Sequence, residues 1–238
     1  MQHNKPLTSI LCLMLFTLIS ACSGGSAGTD WQRLALNGKV KSFEEKQYST
    51  EQKLGEWQAV EERFYGTTIS TFDESGNFIS SDIIDKEQGL VVRYKTKIEN
   101  GVVTEELNYN QDGELNGRMV LDHISASKVE FTSYDMEGNK IGDGTSYMEN
   151  GLVVKQEVDF YDGEELMDHF VSTYEHDDKG NVLVQTQADQ EGENAFYYRF
   201  EYIAFDEQNN WTKKLQYDSK DAKEPVGLVI RTYQYFDE

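Results

Sequence analysis

The stretch V-V-R-Y-K-T-K-I-E-N-G-V-V, residues 91 to 103, contains one strand, one turn and the start of the next strand. In an extended chain its apolar and β-branched side chains would face one way and its basic side chains the other. The first set is Val92, Tyr94, Thr96 and Ile98, and the second set is Arg93, Lys95 and Lys97. This period of two predicts a half-buried strand. Asn100-Gly101 is the strongest short signal for a hairpin, because both residues tolerate a positive φ.

Two kinds of turn recur along the chain. The first is E-N-G, or E-Q-G, followed by apolar residues, at 87 to 92, 99 to 103 and 149 to 154. The second is an aromatic-Asp-x-x-Gly-Asn unit, which occurs as F-D-E-S-G-N at 72 to 77 and, with variations, at 134 to 139, 176 to 181 and 205 to 210. An Asp at the first turn position can accept hydrogen bonds from the backbone that follows, and Gly can take the left-handed conformation. Both kinds predict hairpins.

The spacing of these turns predicts the fold. Turn glycines recur at a step of about one strand plus one turn, so consecutive strands should run antiparallel beside each other. We expect about fourteen strands in an all-β antiparallel meander of repeated hairpins. The meander forms either a long curved sheet or an open barrel. Helical periodicity is nearly absent, so we expect almost no helix.

The turns also resemble known repeat families. The Tyr/Phe-Asp-x-x-Gly-Asn unit is similar to the YD repeat of RHS-type proteins, and the E-N-G hairpins are similar to MORN-type repeats. F-D-E-Q-N-N-W-T-K-K, residues 205 to 214, resembles a terminal motif of uncharacterised bacterial lipoproteins built of such hairpins. The spacing is less regular than in YD arrays, and two turn families are mixed. Such relatives serve as scaffolds, toxin shells or binding surfaces, so the resemblance implies a hairpin array and no catalytic residues.

Residues 1 to 21 have the form of a lipoprotein signal peptide. Lys5 gives a basic start, and the apolar run over 11 to 19 is shorter than the roughly 20 residues of a membrane-spanning helix. Ile19-Ser20-Ala21-Cys22 resembles the lipobox of bacterial lipoproteins, which implies that Cys22 becomes the mature N-terminus and carries acyl chains. Ser23 in the next position implies sorting to the outer membrane, where we expect the domain to face the periplasm.

The remaining chain divides into a tether and one domain. Residues 22 to 30 are rich in Gly and Ser, which predicts a flexible lipidated tether. Residues 31 to 238 are predicted to form a single all-β hairpin-repeat domain. Cys12 lies in the signal and Cys22 carries lipid, so we expect no disulfide in the domain. Contact with the membrane is expected through the lipid anchor.

The charge of the chain limits its partners. Its 43 acidic and 22 basic residues give a formal net charge of −21. This charge repels nucleic-acid phosphates, so nucleic acid is excluded as a partner. A basic partner or a multivalent cation is compatible with it. The alternative interpretation is that the acidic residues keep the protein soluble and protect its strand edges.

The sequence contains no complete catalytic or metal-binding motif. There is no G-x-S-x-G nucleophile elbow, and His169 and His176 lie seven residues apart, on opposite faces of one strand. A glycosidase-type carboxylate pair stays open among so many acidic residues. Turn segments 135 to 144 and 175 to 181 collect oxygen ligands of the kind that Ca²⁺ prefers. The calcium candidates are Asp135, Asp143, Asp177 and Asp178, and the alternative is that each Asp caps its own turn.

Aromatic residues are the most informative feature for binding. In N-A-F-Y-Y-R-F-E-Y-I-A-F, residues 194 to 205, aromatic or aliphatic side chains occupy both faces of a strand. Such a strand is buried on both sides, or buried on one side and used for binding on the other. Tyr and Trp are common at interface hot spots. The candidate recognition face consists of Tyr197, Tyr198, Tyr202 and Trp211.

From these features we expect a non-enzymatic outer-membrane lipoprotein that contacts an unidentified protein or glycan through an extended β-surface, with no cofactor besides the acyl chains on Cys22. The alternatives are a periplasmic carrier of a lipid or small apolar ligand, and a carboxylate-dependent hydrolase. An exposed aromatic strip favours the first, an enclosed apolar pocket the second, and a cleft with two strongly shifted carboxylates the third.

Overall fold

The structure, a computed structural model, describes residues 29 to 189, 191 to 192 and 195 to 237. This part of the chain contains a four-residue helix, α1 (Asp30–Arg33), and fourteen strands. The strands are β1 (Val40–Lys53), β2 (Glu56–Phe72), β3 (Phe78–Asp85), β4 (Gly89–Glu99), β5 (Val102–Asn110), β6 (Leu115–Ser125), β7 (Lys128–Asp135), β8 (Lys140–Glu149), β9 (Leu152–Asp162), β10 (Glu165–His176), β11 (Val182–Asp189), β12 (Phe196–Phe205), β13 (Trp211–Tyr217) and β14 (Gly227–Tyr235). Over the described residues the expected near-absence of helix is confirmed, and no helix there is long and apolar enough to cross a membrane.

The strands form a closed barrel. Each strand pairs antiparallel with its neighbour in the chain, and β1 pairs with β14 from Val40 opposite Tyr235 to Tyr48 opposite Leu228. The predicted all-β meander is therefore confirmed. The prediction of a long curved sheet is wrong. The alternative prediction of an open barrel is close to the observed structure, but the barrel closes completely. Closure removes the two free edges that a curved sheet would expose, and the twist of a large sheet brings its ends together.

Because the barrel is closed, cysteines introduced into its first and last strands should form a disulfide. Glu44 on β1 lies directly opposite Thr232 on β14, on the outer wall. We expect the E44C/T232C variant to form an intramolecular disulfide under mild oxidation, visible as faster migration in a non-reducing gel. The control variant E44C/K213C places the second cysteine on β13, which does not pair with β1. Equal cross-linking in the two variants would contradict the β1–β14 pairing.

The predicted turn chemistry is confirmed in detail. In the turn at 72 to 77, Asp73 Oδ1 accepts hydrogen bonds from the backbone N–H groups of Ser75 and Asn77, both at 2.9 Å. Gly76 has a φ of +84°, which a residue with a Cβ rarely adopts. The same carboxylate pattern recurs at Asp135, Asp177 and Asp206. The recurring motif thus supplies local turn geometry.

One end of the barrel is closed by the N-terminal segment. Residues 29 to 38, which we call the plug, include α1 and pack against the turns that follow β2, β10 and β12. Trp31 contacts Gly76, where an added Cβ would lie 2.7 Å from the indole ring. Asp30 is fully buried and accepts a hydrogen bond from the backbone N–H of Phe78 at 2.7 Å. The folded domain therefore includes Asp30, which the sequence interpretation had assigned to the tether.

The two faces of the barrel wall differ in character. The interior face carries the apolar residues that the alternation predicted, including Val92 and Tyr94, which are 5% and 4% exposed. A larger interior cluster covers β5 to β9: Val103, Leu121, Val129, Phe131, Met148 and Val158. The outer face carries cross-strand ion pairs, such as Arg93 with Asp82 at 2.6 Å and Lys97 with Glu105 at 2.7 Å. The core therefore lies inside the barrel.

One patch of the outer wall is also apolar, but it is covered. Leu215, Tyr217 and Leu228 form a buried cluster on the outside of β13 and β14. Trp57 and Ala59, from the β1–β2 hairpin, and Ala222, from the loop between β13 and β14, pack against it. This patch is thus part of the fold and is not available to a partner.

Candidate functional site in the barrel interior

A strip of aromatic side chains lines the interior near the end opposite the plug. Phe196, Tyr198 and Phe200 on β12 pair with interior glutamines of the flanking strands, and residues directly opposite in an antiparallel pair share a face. We call these three residues the aromatic strip. Their neighbouring ring centroids are 5.1 and 6.4 Å apart, and all three residues are only partly buried. Large apolar side chains that remain accessible inside a barrel provide a surface for a ligand.

Three charged side chains lie deeper in the interior. Glu45 on β1, Lys214 on β13 and Arg231 on β14 form what we call the charged triad. Arg231 donates a hydrogen bond to Glu45 Oε2 at 2.7 Å, whereas Lys214 Nζ lies 4.0 Å from Glu45 Oε1. The side chains of Arg231, Lys214 and Glu45 are 9%, 19% and 22% exposed. The triad thus places two cations and one anion in a largely dry environment.

Aromatic rings surround these cations. The Arg231 guanidinium carbon lies 3.9 Å from the Trp211 ring centroid and 4.1 Å from that of Phe43. Lys214 Nζ lies 4.7 Å from the Trp211 centroid and 5.0 Å from that of Phe200. Each ring face attracts a cation through its quadrupole, and the attraction grows when water is excluded. Phe200 therefore joins the aromatic strip to the charged triad.

The protonation of the triad follows from burial and mutual attraction. Burial raises the pKa of Glu45, but the charges of Arg231 and Lys214 outweigh this effect and leave the pKa below its usual value. Burial lowers the pKa of Lys214, and the attraction of Glu45 offsets this only in part. Burial also disfavours the charge on Arg231, yet Glu45 and Tyr233 leave its pKa raised. Arg231 and Glu45 are therefore a firm ion pair, and Lys214 is the cation with the weaker counter-charge.

A second buried carboxyl group lies near the plug. Glu106 on β5 is 7% exposed, and burial raises its pKa from 4.5 to about 8, with the charge of Asp30 adding to the effect. The charges that shift the pKa of Glu45 come from the triad, and the one that shifts the pKa of Glu106 comes from the plug. The two carboxyl groups are thus perturbed in opposite directions by separate surroundings.

The proposed recognition face is divided by the barrel wall. Tyr198, Tyr202 and Trp211 lie inside, where Tyr202 and Trp211 rings are 5.5 Å apart, but Tyr197 lies outside. The reason is that consecutive strand residues point to opposite faces, so Tyr197 and Tyr198 cannot share one. Tyr197 contributes to an outer cleft of about 620 Å³, together with Val171, Thr186 and Ala188 among others. The four residues therefore do not form one surface.

Three of the four calcium candidates, Asp135, Asp143 and Asp177, make local contacts. Asp135 and Asp177 cap their own turns, as the alternative interpretation expected, and Asp143 forms an ion pair with Lys140 at 2.7 Å. Asp177 and Asp178 line a cleft of about 640 Å³ beside the plug, together with His176. Within the described ranges, no three His, Cys, Asp or Glu side chains are grouped to hold a metal ion. His169 lies on the outer wall, where it hydrogen-bonds Asp159. His176 is seven residues further along the same strand and therefore lies on the opposite face, as predicted.

The charged triad was not predicted from the sequence. Glu45 and Arg231 are 186 residues apart and meet only because β1 pairs with β14. A partial signal exists in W-T-K-K-L-Q-Y, residues 211 to 217, because one of two adjacent lysines on a strand must face inward. Cys22, the expected lipidation site, lies outside the described residues.

Comparisons with known proteins give fold-level likeness only. No family model matches this chain, and no curated protein matches it. Among solved structures it is similar to a porin-like protein from Bacteroides uniformis ATCC 8492, with a TM-score of 0.43 and 8% identity over 83% of this chain and 98% of that one. It is also similar to a porin-like protein from Bacteroides vulgatus ATCC 8482, with a TM-score of 0.47 and 10% identity over 83% of this chain and 99% of that one. Because these scores are low, the barrel assignment depends on the strand pairing of this chain.

Proposed function

We propose that this protein is a non-enzymatic binding module that holds a ligand inside its barrel and is attached to the outer membrane through lipid on Cys22. The observation that carries the proposal is the aromatic strip, which faces the interior and yet is only partly buried. A side chain packed only for stability in a core is usually fully buried. This function combines the expected binding role with the carrier alternative, since the aromatic residues face inward.

The two ends of the barrel support entry from one side. The plug covers the end near Phe78, and Trp31, Leu34 and Leu36 pack there against Phe43 and Phe72. The aromatic strip begins at Phe196, directly after the loop at the opposite end. A ligand that enters at this opposite end would meet the aromatic strip before the charged triad.

The outer wall supports placement of the barrel in the aqueous periplasm. Its middle rows carry ion pairs such as Arg93 with Asp82 and Lys155 with Glu157. Charged side chains on an outer wall are well hydrated in water, but an Arg or Lys side chain costs about 2–4 kcal/mol at the middle of a bilayer. A lipid anchor on Cys22 and a water-exposed barrel are mutually consistent.

The experiment compares an inward-facing and an outward-facing aromatic residue that are adjacent in the chain. The lipidated protein is purified from its own envelope, and bound species are identified by native mass spectrometry and by pull-down. We expect the wild type and Y197A to retain a small ligand, and Y198A, with the same melting temperature, to lose most of it. Retention by Y198A, or a wild type with no bound species, would contradict the proposal.

A second candidate function is recognition of a protein or glycan by the outer wall. The cleft around Tyr197 favours it, because Val171, Ala188 and Ala195 give the cleft an apolar lining beside the polar Thr186. In the same experiment, this function predicts that Y197A loses a partner and that Y198A retains it.

The hydrolase alternative has less support. Two carboxyl groups with opposite pKa shifts occur, as an acid and a base would require, but Glu106 is buried near the plug and takes its charge coupling from Asp30. Catalysis needs the two groups in mutual reach of one substrate. The opposing shifts of Glu45 and Glu106 are explained by structural burial and ion pairing.

A further inference from the structure

We propose that the ligand inside the barrel is an amphipathic anion, with its head group at Lys214 and its apolar tail along the aromatic strip. This inference depends on the proposed interior binding function and adds the chemical class of the ligand. It follows from the hydrogen-bonding state of the cations, the charge of the triad and the position of the strip.

The cations of the triad have unused hydrogen-bond donors. The Lys214 ammonium group has three donors, and its ion-pair contact in the described part of the chain is Glu45 at 4.0 Å, which is too long for a hydrogen bond. Arg231 is 8% exposed, and its buried Nε donor has no hydrogen-bond partner among the described residues. A buried donor without a partner is costly, so an acceptor that reaches it would be favoured.

The charge of the triad selects an anion. Two cations and one anion leave one positive charge inside a chain whose formal net charge is −21. Charge-assisted hydrogen bonds from an ammonium group to a carboxylate are about twice as strong as neutral ones. Arg231 is already paired with Glu45 at 2.7 Å and enclosed between two rings, whereas Lys214 is more exposed. Lys214 is therefore the residue that meets the head group.

The aromatic strip fits the tail of such a ligand. It begins with Phe196, at the end of the barrel opposite the plug, and ends at Phe200, which lies 5.0 Å from Lys214 Nζ. Four residues of strand span about 13 Å, which is comparable with a medium-length alkyl chain. Phe160 and Phe170 are also only partly buried on the interior face of β9 and β10, with ring centroids 6.0 Å apart. The site thus combines an apolar interior surface with a cation at its inner end.

The test uses two probes with the same tail and different head groups, dodecanoate and dodecanol, measured by titration calorimetry on the full protein. Wild type is compared with K214M and with K213M, which changes the adjacent, exposed lysine on the outer wall. We expect K214M to weaken dodecanoate binding about tenfold or more, as the loss of a charge-assisted contact implies. Dodecanol binding should be unchanged in both variants, which also shows that K214M is folded. K214R, which keeps the charge, should restore most of the affinity for dodecanoate.

The outcomes separate this inference from the proposed function. Equal affinity of the wild type for dodecanoate and dodecanol, or equal losses in K214M and K213M, would overturn the head-group assignment while leaving interior binding in place. Failure of both probes to bind would overturn the amphipathic class as a whole. Interior binding itself is judged by the envelope-derived ligand and the Y198A variant.

Discussion

Replacement of Arg231 by Met is expected to lower the free energy of unfolding by about 3–5 kcal/mol, because it leaves a buried charge without its main partner. Arg231 gives Glu45 a hydrogen bond of 2.7 Å, and the remaining cation, Lys214, is 4.0 Å away. The substitution also removes the contacts that the guanidinium group makes with the rings of Trp211 and Phe43. Urea unfolding at neutral pH, followed by circular dichroism, measures the loss.

The matched control is the double variant E45Q/R231M. It removes the buried anion together with the cation, and a neutral pair of similar volume avoids the uncompensated charge. We therefore expect the double variant to be more stable than R231M alone. The ion pair would not be a strong buried interaction if R231M costs less than about 1 kcal/mol. The same would follow if the effects of E45Q and R231M, each measured alone, simply add in the double variant.

Replacement of Glu106 by Gln is expected to remove a large pH dependence of stability. The pKa of Glu106 is about 8 in the folded protein and about 4.5 in the unfolded chain, so the folded state holds a proton that the unfolded state has released. The stability of the wild type relative to E106Q is therefore full below pH 4.5 and falls as the pH rises to about 8. At about 1.4 kcal/mol per pH unit, the difference across this window reaches about 3–5 kcal/mol.

The measurement is a series of urea unfolding curves for wild type and E106Q between pH 4.5 and 8.5. E105Q serves as the control, since Glu105 is adjacent in the chain but lies on the outer wall beside Lys97 and Arg118. We expect the difference between E105Q and wild type to stay nearly constant with pH. A difference between E106Q and wild type that is equally constant would show that Glu106 is charged and solvated in the folded protein.

Local features of this fold were accessible from the sequence. The period of two over residues 91 to 98 correctly placed Val92 and Tyr94 in the core, and the turn motif correctly placed the capping carboxylate of Asp73. Both depend on residues that are close in the chain, where backbone geometry leaves few choices. The antiparallel meander followed from the same local signals.

Long-range features were not accessible. A meander of hairpins has the same sequence pattern whether or not its first and last strands meet. The sequence therefore did not decide whether β1 and β14 pair and close the barrel. The interior site depends on that closure, because Glu45 and Arg231 face each other across the β1–β14 pair. For the same reason, the sequence showed that five of the seven residues from 196 to 202 are aromatic, but not which face of the strand lines an interior.

The proposed function requires that the interior face of the barrel is the binding surface. Gln187 faces the interior and Thr186, its neighbour in the chain, faces the outside. The measurement is the reaction rate of Q187C and T186C, with Cys12 and Cys22 replaced by Ser, toward a small maleimide and toward one attached to a globular protein. We predict that T186C reacts with both reagents, that Q187C reacts with the small one only, and that dodecanoate or dodecanol protects Q187C alone. Equal reaction of both variants with the bulky reagent, unaffected by either probe, would contradict binding at the interior face.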